Sequence, residues 1–325
     1  MIGGFTLRRP FQLGNLLFAL CFLTIACQKI TEPDPTKLIS DQEFEETLKI
    51  DGHDFDSLII ENCTFIGGGL SIWDADHVII RNCTFEDILL NGIAVGFTGP
   101  ASHILIEDCS FDRISYNAID SHEDAPNGTI RGCIIKNAGL SETGAAMGQP
   151  HHGIYWKGKD VLIEENRFEA GEQPHGNAIS VRSSGIIRKN IILTFNTYWI
   201  SCATLGNLDY HNENVIIHFN TVLSAANYSV YIAKDYEATT SFSIYGNLLV
   251  NATEEYFTTF YDVSGIENNL AVAGGIDFID PTKVDLRLMP GSIAGDYCAG
   301  LAFFPLTDID GDMRLSETLN AGADE

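Results

Sequence analysis

The feature that most constrains this chain is a four-residue phrase that returns nine times. It reads Ile60-Glu-Asn-Cys63, Ile80-Arg-Asn-Cys83, Ile106-Glu-Asp-Cys109 and Ile130-Arg-Gly-Cys133. It continues as Ile163-Glu-Glu-Asn166, Ile187-Arg-Lys-Asn190, Ile217-His-Phe-Asn220, Ile244-Tyr-Gly-Asn247 and Ile266-Glu-Asn-Asn269. Successive copies end 20 to 33 residues apart, the spacing of a solenoid repeat. Around each copy Ile- and Val-rich stretches alternate with period two, and no stretch after residue 40 carries a long helical period. Short strands that contact only their neighbours in adjacent repeats stack into a parallel solenoid, right-handed as parallel crossovers are. The expected fold is therefore all-β: a single-stranded right-handed parallel β-helix of about nine or more rungs, on the order of 40 Å long at ~4.8 Å per rung. The longest interval predicts a loop bulging from residues 138–150.

The last position of the phrase also decides what the cysteines do. Cys63, Cys83, Cys109 and Cys133 occupy the site that Asn166, Asn190, Asn220, Asn247 and Asn269 occupy later. An inward Asn satisfies backbone groups of the turn with its amide, and a Cys fills the same slot as a small hydrophobe. One thiol per rung, all pointing the same way, fits neither a relaxed disulfide nor tetrahedral zinc. Free structural thiols are expected.

The ends of the chain read differently. Residues 1–26 have the form of an export leader, with Arg8 and Arg9 before the apolar run Leu16 to Ala26, which is too short for a confident membrane span. Leu23-Thr-Ile-Ala-Cys27 resembles a bacterial lipoprotein box, which implies a lipid on Cys27 and an outer-membrane or cell-surface location. An ordinary cleaved leader, with a periplasmic or secreted product, is the alternative. Residues 27–40, with Pro33 and Pro35, read as a tether, 41–280 as the β-helix and 281–325 as a capping segment. In that segment Asp308, Asp310 and Asp312 are spaced like a calcium loop, but the remaining ligands are missing and a capping turn is expected.

The formal charge is -25, and -27 once Arg8 and Arg9 leave with the leader. Such a chain is not built for nucleic acid, where affinity comes largely from neutralising phosphates. An acidic polymer would need a local basic strip or a bound cation.

A basic strip is present. Ahead of the recurring phrase runs another strand: Leu70-Ser-Ile-Trp73, Gly92-Ile-Ala-Val95, Ala118-Ile-Asp-Ser-His122, Gly153-Ile-Tyr-Trp-Lys157, Ala178-Ile-Ser-Val-Arg182, Trp199-Ile-Ser-Cys202 and Ser229-Val-Tyr-Ile232. With the isoleucines inward, period two sends one column outward through Trp73, Ala94, Asp120, Tyr155, Ser180, Ser201 and Tyr231. A second column runs through Gly96, His122, Lys157, Arg182, Ala203 and Ala233, charged in three adjacent rungs and small on either side. Stacked like charges repel and lower the proton affinity of Lys and His, so they call for a reason. One is lyase chemistry, which needs a neutralised uronate carboxylate, a base and an acid. The other is a solvated face matched by Asp120, Glu123 and Asp124. His151, His152 and His175 precede the same strands, either as turn residues or as the rim of the trough, and their spacing does not make a zinc site.

The ladders and the ending Phe278-Ile-Asp-Pro281, Asp285-Leu-Arg-Leu-Met-Pro-Gly-Ser292 and Ala321-Gly-Ala-Asp-Glu325 resemble the right-handed parallel β-helix repeat proteins, pectate-lyase-like in architecture. Lys157 and Arg182 on neighbouring rungs resemble the arrangement in β-helical alginate and dermatan lyases, which implies a Lys base and an Arg acid. Those relatives bind calcium, for which Asp120 and Glu123 are the nearest candidates here. Asp120-Ser-His122 is similar to the Asp-x-His strand of β-helical mannuronan C5-epimerases, with Asn117 where that family has Tyr and Ser121 where it has Pro. Tyr155 on the next rung could fill the missing volume. The expectation is an exported monomeric lyase or epimerase acting on an acidic polysaccharide, with Trp73, Ser180, Ser201, Tyr231, His152 and His175 lining the polymer. A glycan-binding protein without catalysis is the contrary class. A glycoside hydrolase ranks lower, because the Tyr155 and Ser180 rungs bring no second carboxyl to Asp120.

Overall fold

Stacked turns, each made of three short strands, build the solenoid. The computed structural model describes residues 37–141, 151–169, 176–194, 200–202, 214–223, 230–232, 241–250, 257–259, 266–272, 278–280, 285–301, 304–314 and 319–322. Cys27, the loop residues 142–150, His175, Ala203 and Ala233 lie outside them, as do the side chains of Val230–Ile232. The strands sort into three parallel sheets of ten, nine and ten members. The first sheet contains the recurring phrase, as in Leu58–Glu61, Ile79–Arg81 and Leu105–Glu107. The second contains Leu70–Trp73, Ile93–Val95, Ile119–Ser121, Ile154–Trp156, Ile179–Val181 and Ile200–Cys202. The third contains Thr84–Ile88, Ser110–Ile114 and Ile134–Ala138. Each strand pairs in parallel with the matching strand one turn before and one turn after, for example Ile60 with Ile80 and Ile80 with Ile106.

The inward ladders match the repeat. Cys63, Cys83, Cys109 and Cys133 are buried free thiols. Burial raises the Cys109 thiol well above its ordinary value, so it stays protonated and acts as packing. From Asn166 onward the slot becomes polar but fully satisfied. The Asn190 side-chain oxygen accepts the Asn166 backbone N–H at 3.0 Å, and the Asn190 amide donates to the Ile163 carbonyl at 3.0 Å. Asn220 and Asn247 repeat this one and two turns on. The Asn166 oxygen accepts from Cys133 N–H at 2.9 Å, which joins the two halves of the ladder. Phe44, Phe65, Phe85 and Phe111 form a second column, their rings stacked 4.5–4.9 Å apart.

Outside the first sheet, charge alternates in sign. Glu61, Arg81, Glu107, Arg131, Glu164 and Arg188 follow one another in register. Arg81 reaches Glu61 at 2.8 Å, Arg131 reaches Glu107 at 2.6 Å and Arg188 reaches Glu164 at 2.7 Å.

The solenoid starts before residue 41. Lys37–Ser40, expected within the tether, pairs with Leu58–Glu61 and is the first strand of the solenoid. The closing segment packs along the side of the later turns, where Leu286, Ala294, Cys298, Leu319 and Ala321 form one apolar cluster with Ile191, Phe219, Leu248 and Val250. That contact accounts for third-sheet strands that are apolar on both faces. Asp308 is buried and its Oδ1 accepts the Asp312 N–H at 2.9 Å, so this stretch is a closing turn.

Candidate functional site

The outer face of the second sheet carries the candidate site. Ile119, Ile154, Ile179 and Ile200 are buried and in register, which turns the next residue of each strand to the other face. The first column therefore runs Ser71, Ala94, Asp120, Tyr155, Ser180 and Ser201, and Tyr231 is the next residue in register. Trp73 is not in it. Leu70 pairs with Ile93, so the Trp73 rung is shifted by two residues and Trp73 falls in line with Gly96 in the second column. Inward Ile72 and outward Trp73 have the parity expected of them; only the register was misjudged, and a shift of two leaves every side chain on its own face.

The second column is not a row of repelling charges. Lys157 turns across to Asp120, with Nζ 2.6 Å from Oδ1, and the two residues are only 8% and 7% exposed. The other carboxylate oxygen accepts from the side-chain amides of Asn117 at 2.9 Å and Asn91 at 3.2 Å. Burial pushes the Asp120 carboxyl above its ordinary range, against the downward pull of the Lys157 charge. Backbone geometry supports the turn at Lys157: its N–H donates to Ser121 Oγ at 2.8 Å, and Gly158 N–H reaches the same oxygen at 3.4 Å. Between Tyr155 and Lys157, Trp156 anchors the strand in the core. Gly128 packs so tightly on its indole that a Cβ there would come within 2.1 Å of Cζ2.

Tyr155 is the centre of the group. The Lys157 ammonium lies 4.1 Å from its ring centroid and the Arg182 guanidinium carbon 5.2 Å. Phe97, 46% exposed, covers Lys157 from the other side, with its centroid 4.9 Å from Nζ, and packs against the His122 ring at 5.8 Å. Cation–π contact and the Asp120 carboxylate thus hold charges that bare stacking would set against one another. His122 lies at the edge, its Nδ1 3.3 Å from Asp124. Glu123 is exposed. A calcium ion at Asp120 would have to displace the Lys157 ammonium, so these residues as arranged do not fit the ion and no step is drawn through it.

Several residues expected to line the polymer are covered. Ser180 and Ser201 are 0% and 3% exposed although they stand on the outer column. His152 is buried edge-on beneath Tyr155, at 5.1 Å, and its Nδ1 accepts the Asn177 N–H at 3.0 Å. Burial, aided by the Arg182 charge, lowers its proton affinity to a pKa of about 3, which makes it a neutral prop for Tyr155. His151, half-buried, stacks on Tyr116 at 4.0 Å at the rim, where burial lowers its own proton affinity. Asn91, Phe97 and Asn177 are not among the residues expected at the site; each lies just outside a strand, where period two carries no information.

The stacked parallel sheets define a parallel β-helix. A family model described as a right handed beta helix region matches residues 48–149. Solved structures similar to this chain include the pectate lyase Pel9A, at 13% identity over 90% of this chain and 80% of that one, with a TM-score of 0.49. Another is the pectate lyase Bsp165PelA from Bacillus sp. N165 in complex with trigalacturonate, at 13% identity over 76% and 83%, with a TM-score of 0.42. A third is the PL6 family alginate lyase AlyGC, at 12% identity over 83% of this chain and 55% of that one, with a TM-score of 0.32. No curated protein matches the sequence.

Proposed function

We propose that this chain is an exported, lipid-anchored enzyme acting on a uronate-containing polysaccharide by abstraction of the C5 proton, as a lyase or a C5-epimerase. The observation that carries the reading is the Lys157–Asp120 pair, buried beneath Tyr155 with Arg182 on the same ring. A buried ion pair is a poor source of stability, because desolvation offsets its attraction, whereas sites that move protons are where such pairs recur. In the proposed reaction Arg182 neutralises the sugar carboxylate and so stabilises the carbanion. Lys157 passes a proton to Asp120, whose carboxyl burial pushes above its ordinary range, and the amine so freed takes the proton from C5. In elimination the C4–O4 bond breaks, a C4–C5 double bond forms, and Tyr155 or His122 protonates the departing oxygen. In epimerisation a proton returns to C5 from the opposite face.

The test incubates the purified chain with alginate, pectate and glycosaminoglycans, with and without calcium, and follows ultraviolet absorbance of unsaturated uronate and solvent-proton exchange at C5. Turnover on one polymer is expected, and Lys157→Ala should lower it by roughly 10²–10⁴-fold, the usual scale for a proton-transfer group. Full activity in Lys157→Ala overturns the assignment. A second reading, a glycan-binding protein without turnover, is favoured by the low exposure of Lys157 and Asp120 beside the accessible rings of Phe97 and His122. Binding without either signal would establish it.

A further inference from the structure

Away from the candidate site, the turn that leaves the second sheet carries a group of side chains the proposed reaction does not use. The short strands Ala75–Asp76 and Ala101–Ser102 pair in parallel on consecutive turns of the solenoid. Directly after them stand His77 and His103, both in the left-handed region at φ 57° and 53°. Their imidazoles stack with centroids 4.4 Å apart and planes 11° from parallel. One carboxylate sits between them: Asp76 Oδ2 is 2.8 Å from His77 Nδ1, and Oδ1 is 2.9 Å from His103 Nδ1. Asp76 is itself held in place, since Ser102 Oγ donates to Oδ1 at 2.6 Å and the Asp76 N–H donates to Asp56 Oδ1 at 2.8 Å. Among the described residues this is the group whose carboxylate and imidazole donors all lie within 4.8 Å of one another.

We propose that Asp76, His77 and His103 form a binding site for one zinc-class divalent cation, which clamps two successive turns of the solenoid. Two imidazoles and a carboxylate are a donor set for zinc, copper or nickel; calcium, which takes oxygen ligands, is the wrong metal for it. Ligands around tetrahedral zinc stand about 3.4 Å apart at bond lengths of roughly 2.1 Å, so modest side-chain rotation closes the present arrangement on an ion. Both rings are 44% exposed, which leaves a coordination position to water. The backbone does the aligning. Ser57, His77, His103, Asn127 and Asp160 occupy the same left-handed turn position on five consecutive turns, and only two of them are histidine.

That column also supplies conservative variants. Asn tolerates the left-handed region and already stands there as Asn127, so His77→Asn and His103→Asn should fold. The experiment is equilibrium dialysis of the full chain against Zn2+ with metal analysis, and thermal unfolding with and without the ion. One zinc per chain is expected, with affinity reduced more than about tenfold in either variant, the scale of losing a metal-site group. Zinc should raise the unfolding temperature of the parent chain and not of the double variant. His53→Asn, at an exposed histidine outside the group, should bind as the parent does. Equal zinc uptake by the parent and the double variant, or none by the parent, overturns the proposal.

Discussion

The outer faces of the first and second sheets present Lys and Arg from the same scaffold and handle them in different ways. On the first sheet each Arg follows a Glu one turn earlier and in register, partly exposed at Glu61, Arg81, Glu107 and Arg131 and buried at Glu164, and the ladder from Glu61 to Arg188 is matched pair by pair. On the second sheet the basic residues follow one another, Lys157 then Arg182, and the compensation comes from elsewhere: Asp120 in the neighbouring column and the rings of Tyr155 and Phe97. The first pattern is what negative and positive charges do when they only need to coexist on a sheet surface. The second keeps charge in a buried place that a stability argument alone would fill with apolar groups. The difference separates a face that holds the solenoid together from one arranged around particular groups.

The largest effect expected from this contrast is at the buried pair. Asp120→Ala leaves Lys157 without its carboxylate in a covered position and should cost about 3–5 kcal/mol in denaturant unfolding. Replacing both partners with apolar residues, as in Asp120→Leu with Lys157→Met, should restore most of that loss while turnover stays absent. A double variant as unstable as the single one would mean that the pair is structural. Next in size is an acid response beneath Tyr155. His152 is neutral in the folded protein, with a pKa of about 3 against an ordinary value of 6.5. Unfolding releases it to bind a proton, so its contribution is complete above about pH 6.5 and is lost as pH falls from there toward 3, at roughly 1.4 kcal/mol per pH unit. His152→Asn keeps an acceptor for the Asn177 N–H and should make that limb of the stability–pH curve shallower; an unchanged limb would remove His152 as its source. His218, also buried with its proton affinity depressed by burial, contributes in the same direction and leaves a remainder. The smallest effect belongs to the matched ladder. Arg131→Ala should cost no more than about 1 kcal/mol and less at high salt, because its bridge to Glu107 is exposed. A loss as large as that of Asp120→Ala would erase the distinction between the faces.

Much of this was legible in the residues. Nine copies of Ile-x-x-Cys/Asn announce parallel stacking, and the inward position of that column follows because one slot accepts either a thiol or an amide. The alternation Glu61, Arg81, Glu107, Arg131 was legible too, in the second residue of each phrase, although its meaning depends on strands a full turn apart standing in register. The candidate site was legible only to the level of columns. Asp120, Tyr155, Lys157 and Arg182 fall on the expected face, but Ser180, Ser201 and His152 share that region and are covered.

What the order of residues settles is therefore whatever recurs: the period, the inward ladders and the parity of each strand, since these depend on local alternation repeated turn after turn. Tertiary structure settles whatever happens once. Lys157 has a long side chain that can lie along its own column or cross to the next, and the buried Asp120 carboxylate, with the rings of Tyr155 and Phe97 against the ammonium, decides that it crosses. Trp73 moves one column because register depends on turn length as well as on parity. Asp76, His77 and His103 are ordinary surface residues along the chain, and become a cluster only because one turn of the solenoid lays residue 103 directly over residue 77.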